Sequence, residues 1–532
     1  MRFALLALLF AAGPATAADA VFQYAVPVKP AKGQPSTAFV WIPPEAKQVR
    51  GVVVAGMTLA EREMVRDVLV RKACAEEQLA LVFLKTGIGA VDVQQVLDDL
   101  AKASGYRELS VAPLFFFGHS AGGPQAKAAA AKYADRCFGV AQYRGGHPGE
   151  PDPVPPGVPA LMMLGQFDEF GKQMMRDADG RENWEYGRDS LAAFRAADAK
   201  NLGSIVVEPG AGHFAWSNRS ANYLARFLRK AAKARIPDWP LDTKEPVKCK
   251  AIDHTTGWLT DLTITGATRH KPAAHKDHAG DRSKAGWHFD SELAEATETY
   301  HIGLAGKKDQ FIRWKDASSV DAGARFFFTE LKWGSDGQTF EVHPEYADVY
   351  PKTQPNGQGP RWPLAGKPVG HSKAPVLVRP VGGPVVAVGP DKFRMKYDAI
   401  APATDPGRAT FLASSEGDAD YRYTEQVGMM PKGFAGLKDG KEQTITFPPV
   451  GNLKPGGSVE LKGTSDGGLP VEYYVAHGPA VIEGGKLRVA ELPARAVFPV
   501  EVKVVAYQFG RGVEPRVKTA APVEQTIRIE KP

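Results

Sequence analysis

A chain of 532 residues is long for one domain and predicts roughly three or four, and its 43% hydrophobic content supplies apolar surface for folded cores rather than a disordered polymer. The formal charge of +6 is small for this size, and the basic residues are spread out with no Lys/Arg block and no nucleic-acid motif, so no nucleic-acid partner is expected. Beyond the first residues no apolar run is long enough for a membrane helix, so no membrane span is expected.

At the start, Arg2 precedes an apolar core from Phe3 to Ala12 and then Ala15-Thr16-Ala17, the layout of a cleaved secretory signal peptide over residues 1–17. The mature chain is therefore expected to be secreted or periplasmic. From about Val21 to Ile236, short apolar runs alternate with helical segments, which predicts a mostly parallel sheet with helices on both faces. Gly51–Ala55 reads as a strand, Glu61 to Glu77 as a helix, and Leu79–Leu84 as the next strand. Val93, Val96, Leu97 and Leu100 recur at helical spacing. Leu114-Phe115-Phe116-Phe117 is a buried strand that runs straight into Gly118-His119-Ser120-Ala121-Gly122, and an alanine-rich helix follows from Pro124. A serine held between glycines on so tight a strand-to-helix turn presents its hydroxyl, as a nucleophile elbow does. Phe138 to Tyr143, Ala160 to Leu164 and Ser204 to Val207 read as three further strands, and Tyr223 to Ala234 as the closing helix.

After Pro237 the texture becomes Pro- and Gly-rich. The region 237–440 reads as β-rich, one or two units with linker, with strands at Ala324–Phe328, Thr339–Val342, Lys392–Met395 and Ala409–Leu412 and a helix near Ser291 to Thr299. In residues 441–532, Thr444–Phe447, Ser458–Leu461, Val471–Val475, Lys486–Val489 and Val500–Tyr507 alternate between turn residues, a spacing that predicts a β-sandwich. The three cysteines, Cys74, Cys137 and Cys249, allow at most one bridge, and none has metal-ligand spacing.

The order of elements through roughly residue 235 resembles the α/β-hydrolase fold, and the last module, from Gln443-Thr444-Ile445-Thr446-Phe447 through Gly468-Leu469-Pro470-Val471 to Thr526-Ile527-Arg528-Ile529, resembles immunoglobulin-like modules of bacterial exported proteins. The second resemblance implies a spacer or binding role. The first implies chemistry. A serine hydroxyl needs a base within hydrogen-bond reach and a carboxylate to fix that base's tautomer, and in this fold the partners follow in the order Ser, acid, His. His213, in the loop after the expected last strand, is the candidate base for Ser120. The strand end at Leu164 presents two adjacent carboxylates, Asp168 and Glu169, and the chemistry accepts either. The resemblance favours Asp168, because Gly165-Gln166-Phe167-Asp168 matches the family's Gly-x-x-Asp, leaving Glu169 as the alternative.

The same fold implies an oxyanion hole from the backbone N–H groups of Ala121 and Met57, although the His-Gly-Gly-Gly form of the second loop is lacking. Strand ends on that face nominate Tyr143, Arg144, His147, Trp184 and Trp216 for substrate binding, each weighed against ordinary packing. The cluster His270, His275, His278, Asp277 and Asp281 is interleaved with Arg269, Lys271, Lys276 and Arg282, whose charges oppose a dication. It reads as a solvated loop, with no metal expected. The leading expectation is a serine hydrolase cleaving carboxylic esters through an acyl-enzyme, with no cofactor required. Its architecture resembles carbohydrate-active esterases, which act on acyl groups of polysaccharides. A prolyl-oligopeptidase-like peptidase is second, disfavoured because such enzymes generally carry a large domain before the hydrolase unit. A binding or surface protein with a silent hydrolase domain is third.

Overall fold

The computed structural model describes residues 21–168, 183–263, 269–302, 306–315, 332–350, 364–430 and 436–532. Eight strands form one sheet: β1 (Tyr24–Val28), β2 (Ser36–Trp41), β3 (Gly51–Ala55), β4 (Leu79–Leu84), β5 (Leu114–His119), β6 (Cys137–Tyr143), β7 (Ala160–Gly165) and β8 (Gly203–Glu208). They lie in the order β1-β2-β4-β3-β5-β6-β7-β8. β2 pairs antiparallel with both neighbours, and every pairing from β4 to β8 is parallel. This is the α/β-hydrolase arrangement.

The central strands are continuous apolar runs because both sheet faces are covered. Side chains alternate between two cores: Val52, Val54 and Phe116 enter one, Val53, Ala55, Phe115 and Phe117 the other. On the first face lie α3 (Val93–Ser104), α4 (Gly122–Lys132) and α5 (Asn183–Ala197). On the second lie α2 (Val68–Glu76), preceded by the short α1 (Leu59–Met64), and α6 (Asn218–Arg235). Each fully buried Phe of β5 contributes about 1.5–3 kcal/mol of burial.

The expected helix from Glu61 to Glu77 is two helices. Asp67 adopts an extended backbone and its carboxylate accepts the Leu69 and Val70 N–H groups at 2.8 and 3.3 Å, so it caps a new helix instead of continuing the old one. The β1–β2 hairpin and α5 go beyond the sequence reading. All three cysteines are free thiols, with Cys74 and Cys137 buried.

The chain after Ile236 forms several small antiparallel sheets. The helix expected near Ser291 is α7 (Ser291–Ile302), while the expected strand Ala324–Phe328 lies outside the described residues. One three-stranded sheet matters for the site: β9 (Leu377–Gly382), β10 (Thr410–Ser415) and β11 (Thr424–Met429), with β10 in the middle. In the last region Val500–Tyr507 pairs with Glu472–His477 and Val523–Ile529, and Lys486–Val489 pairs with Ser458–Glu460 and Ala480–Glu483. Its apolar residues, such as Val502, Val504 and Ile527, continue the first core of the large sheet. Arg495 reaches back to Glu108, a buried carboxylate that also accepts the Val49 N–H at 3.0 Å, and its guanidinium lies 4.1 Å from the Tyr106 ring centre. No helix among the described residues is long and apolar enough to cross a membrane.

Candidate active site

Three loops at the carboxyl ends of parallel strands converge on Ser120. β5 delivers the serine itself. The next two residues turn the chain into α4, and Ser120 is held at φ +55°, a left-handed conformation that costs a non-glycine residue about 1–3 kcal/mol. The flanking glycines make the turn sterically feasible. A Cβ on Gly118 would lie 2.1 Å from the Gly122 carbonyl oxygen, and one on Gly122 would lie 2.1 Å from Glu61 Oε1. The Ser120 N–H donates to the Tyr143 carbonyl at 3.0 Å, which fixes the elbow to the neighbouring strand.

β8 ends at Glu208, and the loop beyond it carries His213. The His213 Nε2 stands 2.8 Å from Ser120 Oγ, and its Nδ1 stands 2.9 Å from Asp168 Oδ1, which follows the end of β7. A carboxylate only accepts, so the ring proton sits on Nδ1 and the Nε2 lone pair faces the serine hydroxyl. His213 is 3% exposed and Asp168 fully buried, so water competes weakly for either bond. Ser120, Asp168 and His213 are thus brought together as the sequence reading expects. Glu169 lies outside the described residues.

Ala121 is exposed and forms the N-cap of α4, where the first N–H groups have no intrahelical partner. Met57 lies after β3 and is 43% exposed, with its carbonyl accepting from Arg62 Nε at 2.7 Å. Ala121 thus stands on the open side of the elbow, and Met57 on the exposed loop between β3 and α1.

The expected substrate residues fare differently. Tyr143 and Arg144 are buried, and their polar groups are turned inward. The Tyr143 hydroxyl donates to the Ala215 carbonyl at 2.5 Å, and Arg144 donates to Glu208 at 2.8 Å and to the Gly212 carbonyl. Trp216 is 2% exposed, edge-on to Phe117, with its indole N–H donating to Asp67 at 3.1 Å. These three hold the serine and histidine loops rather than present a surface to substrate. For these three the packing alternative is the one the structure favours, since a strand-end position does not reveal which way a side chain turns. Trp184 is half-buried against the first core with Arg188 beside its ring, and His147 is half-buried in the loop after β6.

Two residues behind the elbow escaped the sequence reading. His119 is buried between Ser120 and the histidine loop. Its Nε2 lies 3.0 Å from the His213 carbonyl oxygen and must donate, which leaves Nδ1 facing the Thr58 hydroxyl at 3.1 Å. Burial, with His213 and Arg144 nearby, pushes its pKa well below the usual histidine value, so it stays neutral. Glu61 accepts the Thr58 and His119 N–H groups at 2.6 and 3.1 Å, and burial pushes its carboxyl up. Thr58-Leu59-Ala60-Glu61 is a capping-box pattern, a signal that was readable in the sequence.

Elsewhere, His270 and His278 have ring centres 6.0 Å apart, and His278 is 5% exposed, so the histidine cluster is not wholly a solvated loop. Among the described residues no group of three or more His, Cys, Asp or Glu is arranged to hold a metal ion.

No protein-family model matches the chain, and no curated protein matches it in sequence. Solved structures similar to part of it include the esterase domain of a Rhodothermus marinus protein, at 17% identity over 40% of this chain and 97% of that one, with a TM-score of 0.27. A poly(3-hydroxybutyrate) depolymerase from Bordetella parapertussis is similar at 16% identity over 41% of this chain and 92% of that one, with a TM-score of 0.29. An S-formylglutathione hydrolase from Agrobacterium tumefaciens is similar at 15% identity over 39% and 94%, with a TM-score of 0.29.

Proposed function

We propose that this chain is a serine hydrolase that cleaves carboxylic esters through an acyl-enzyme. The observation that carries the reading is the hydrogen-bonded line from Ser120 Oγ through His213 to Asp168, at 2.8 and 2.9 Å. Ser120 Oγ attacks the ester carbonyl while His213 Nε2 takes its proton, and Asp168 stabilises the imidazolium that forms. The oxyanion accepts hydrogen bonds from the Ala121 N–H and, from the opposite loop, the Met57 N–H, each worth roughly 3 kcal/mol at the transition state. Collapse expels the alcohol, which takes the proton from His213. Water, deprotonated by the same nitrogen, then attacks the acyl carbonyl, and the acid leaves with Ser120 reprotonated.

The substrate class we favour is an acyl group on a polysaccharide, a reading supported by an α/β-hydrolase sheet followed by several small antiparallel sheets; in it we take residues 21–236 as the catalytic domain, 237–440 as a β-rich region and 441–532 as an immunoglobulin-like module. Residues 1–17 act in this reading as a signal peptide that directs the chain out of the cytoplasm. The test is labelling with a fluorophosphonate and hydrolysis of p-nitrophenyl acetate, with Ser120→Ala as control. Labelling and turnover confined to the wild type support the proposal. Equal behaviour of the two proteins refutes it, and turnover of peptide anilides instead of esters transfers the case to a peptidase.

A further inference from the structure

The loop that carries His213 is enclosed from outside by a different part of the chain. Phe214 and Ala215 pack with Val381, Leu412, Val427 and Met429 of the β9–β10–β11 sheet. Gly210 sits at φ +64°, where a Cβ would come within 2.4 Å of Thr424 Oγ1. The Trp216 carbonyl accepts from the Arg379 guanidinium. Both ends of the histidine loop are therefore held by strands more than a hundred and fifty residues further along the sequence.

One polar contact crosses this boundary in the interior. Arg144, itself at φ +47°, donates to the carbonyl of Gly212, the residue just before His213, and its guanidinium lies 2.8 Å from Glu208 and 3.4 Å from Glu425 of β11. All three side chains are buried. Glu208 is also held by the hydroxyls of Ser217 and Ser220, and Glu425 Oε2 accepts the Tyr423 hydroxyl at 2.6 Å.

We infer that Glu425 is a positioning residue for the reaction, acting through Arg144 to set the place and the electrostatic surroundings of His213. This rests on the serine-hydrolase reading. The charged and titratable groups facing Glu425 are Arg144 and Tyr143 at the end of β6, Glu208 at the end of β8, Arg379 of β9, Tyr423 just before the start of β11, and, through Tyr423, Arg219 of α6, with Tyr300 of α7 also within its field. Arg144 in turn faces Asp168. With Glu425 ionised, Arg144 faces Glu208, Glu425 and Asp168 as counter-charges, and Arg379 faces Glu425 and Glu63. With Glu425 neutral, the surroundings of His213 are more positive by one charge. That charge opposes the one His213 acquires when it takes the serine proton and draws Asp168 away from its task. Burial and the neighbouring Glu208 push the Glu425 carboxyl up to about 7, so this change of charge falls within the working range of an ordinary hydrolase.

The experiment compares fluorophosphonate labelling rates of the full-length wild type, Glu425→Gln and Glu425→Asp across pH, with Ser120→Ala as blank. We expect Glu425→Gln to label about tenfold slower than wild type at alkaline pH, where wild-type Glu425 is ionised, equivalent to ~1.4 kcal/mol in the barrier. The two rates should converge toward acid pH, where both side chains are neutral, and Glu425→Asp should restore most of the alkaline rate. A ratio that is the same at every pH, or equal rates throughout, overturns the inference while leaving Ser120 as the nucleophile. Should Glu425→Gln fail to fold, Tyr423→Phe removes the hydrogen bond to Oε2 and should move the rise in wild-type-like labelling to higher pH; an unmoved profile overturns the inference. A wild type that is not labelled at Ser120 removes the serine-hydrolase reading and this inference with it.

Discussion

Replacing Asp168 by Asn tests which carboxylate orients the base, and the geometry fixes the size of the effect. Asp168 Oδ1 lies 2.9 Å from His213 Nδ1 and the residue is fully buried, so no water takes over the lost interaction. An Asn side chain that turns its amide toward Nδ1 donates instead of accepting. The ring proton then moves to Nε2, the nitrogen 2.8 Å from Ser120 Oγ, and the imidazole no longer accepts the serine proton. Loss of the correct tautomer at such a site costs about 10⁴ in rate, or ~5 kcal/mol in the barrier. The assay is turnover of p-nitrophenyl acetate with the thermal midpoint as a control for folding, run beside Glu169→Gln. The reasoning fails if Asp168→Asn keeps more than about a tenth of the rate, or if Glu169→Gln loses as much as Asp168→Asn.

Gly118→Ala puts a methyl group 2.1 Å from the Gly122 carbonyl oxygen, and the nearest atoms all belong to the Gly122–Gly123 backbone, with no flexible side chain to yield. The expected result is a loss of roughly 1–3 kcal/mol in a denaturant titration, together with loss of fluorophosphonate labelling, and an unchanged labelling rate would contradict the steric account of the elbow. Stability should also fall on acidification because of His301, whose buried Nε2 accepts the Val207 N–H of β8 at 3.3 Å and whose pKa burial lowers from 6.5 to about 3. Below 6.5 the unfolded chain takes up a proton that the folded protein refuses, so this contribution is complete above 6.5 and is lost progressively as pH falls toward 3. Denaturation midpoints measured between neutral and mildly acid pH should drop less steeply for His301→Gln, and an identical slope would show that His301 is not responsible.

The sheet and the candidate site groups Ser120, His213 and Asp168 were legible because they are written in short local patterns. The run Leu114–Phe117 is apolar on both faces, and Gly118 is dictated by a backbone contact within five residues, although Gly122 is required by the distant Glu61. His213 and Asp168 follow strand ends that the apolar runs mark clearly. Orientation was not written there. Tyr143, Arg144 and Trp216 stand at the right ends of the right elements, yet each turns inward to partners that no local pattern announces. The break between α1 and α2 was missed because Asp67 is compatible with a helix until its carboxylate is seen to cap the next one. Glu425 had no sequence signal at all, since its meaning comes from a guanidinium 281 positions away.

The clasp between Arg495 and Glu108 bears on how the polypeptide is made. The two residues are 387 positions apart, so a chain synthesised from its amino end holds Glu108 without its cation until almost all of it has been translated. The early sheet must wait in an incomplete state, with a carboxylate and an apolar flank that only the final strands cover, and closure of so distant a contact is slow relative to local folding. Truncation anywhere before Arg495 would leave the oldest part of the molecule to finish alone.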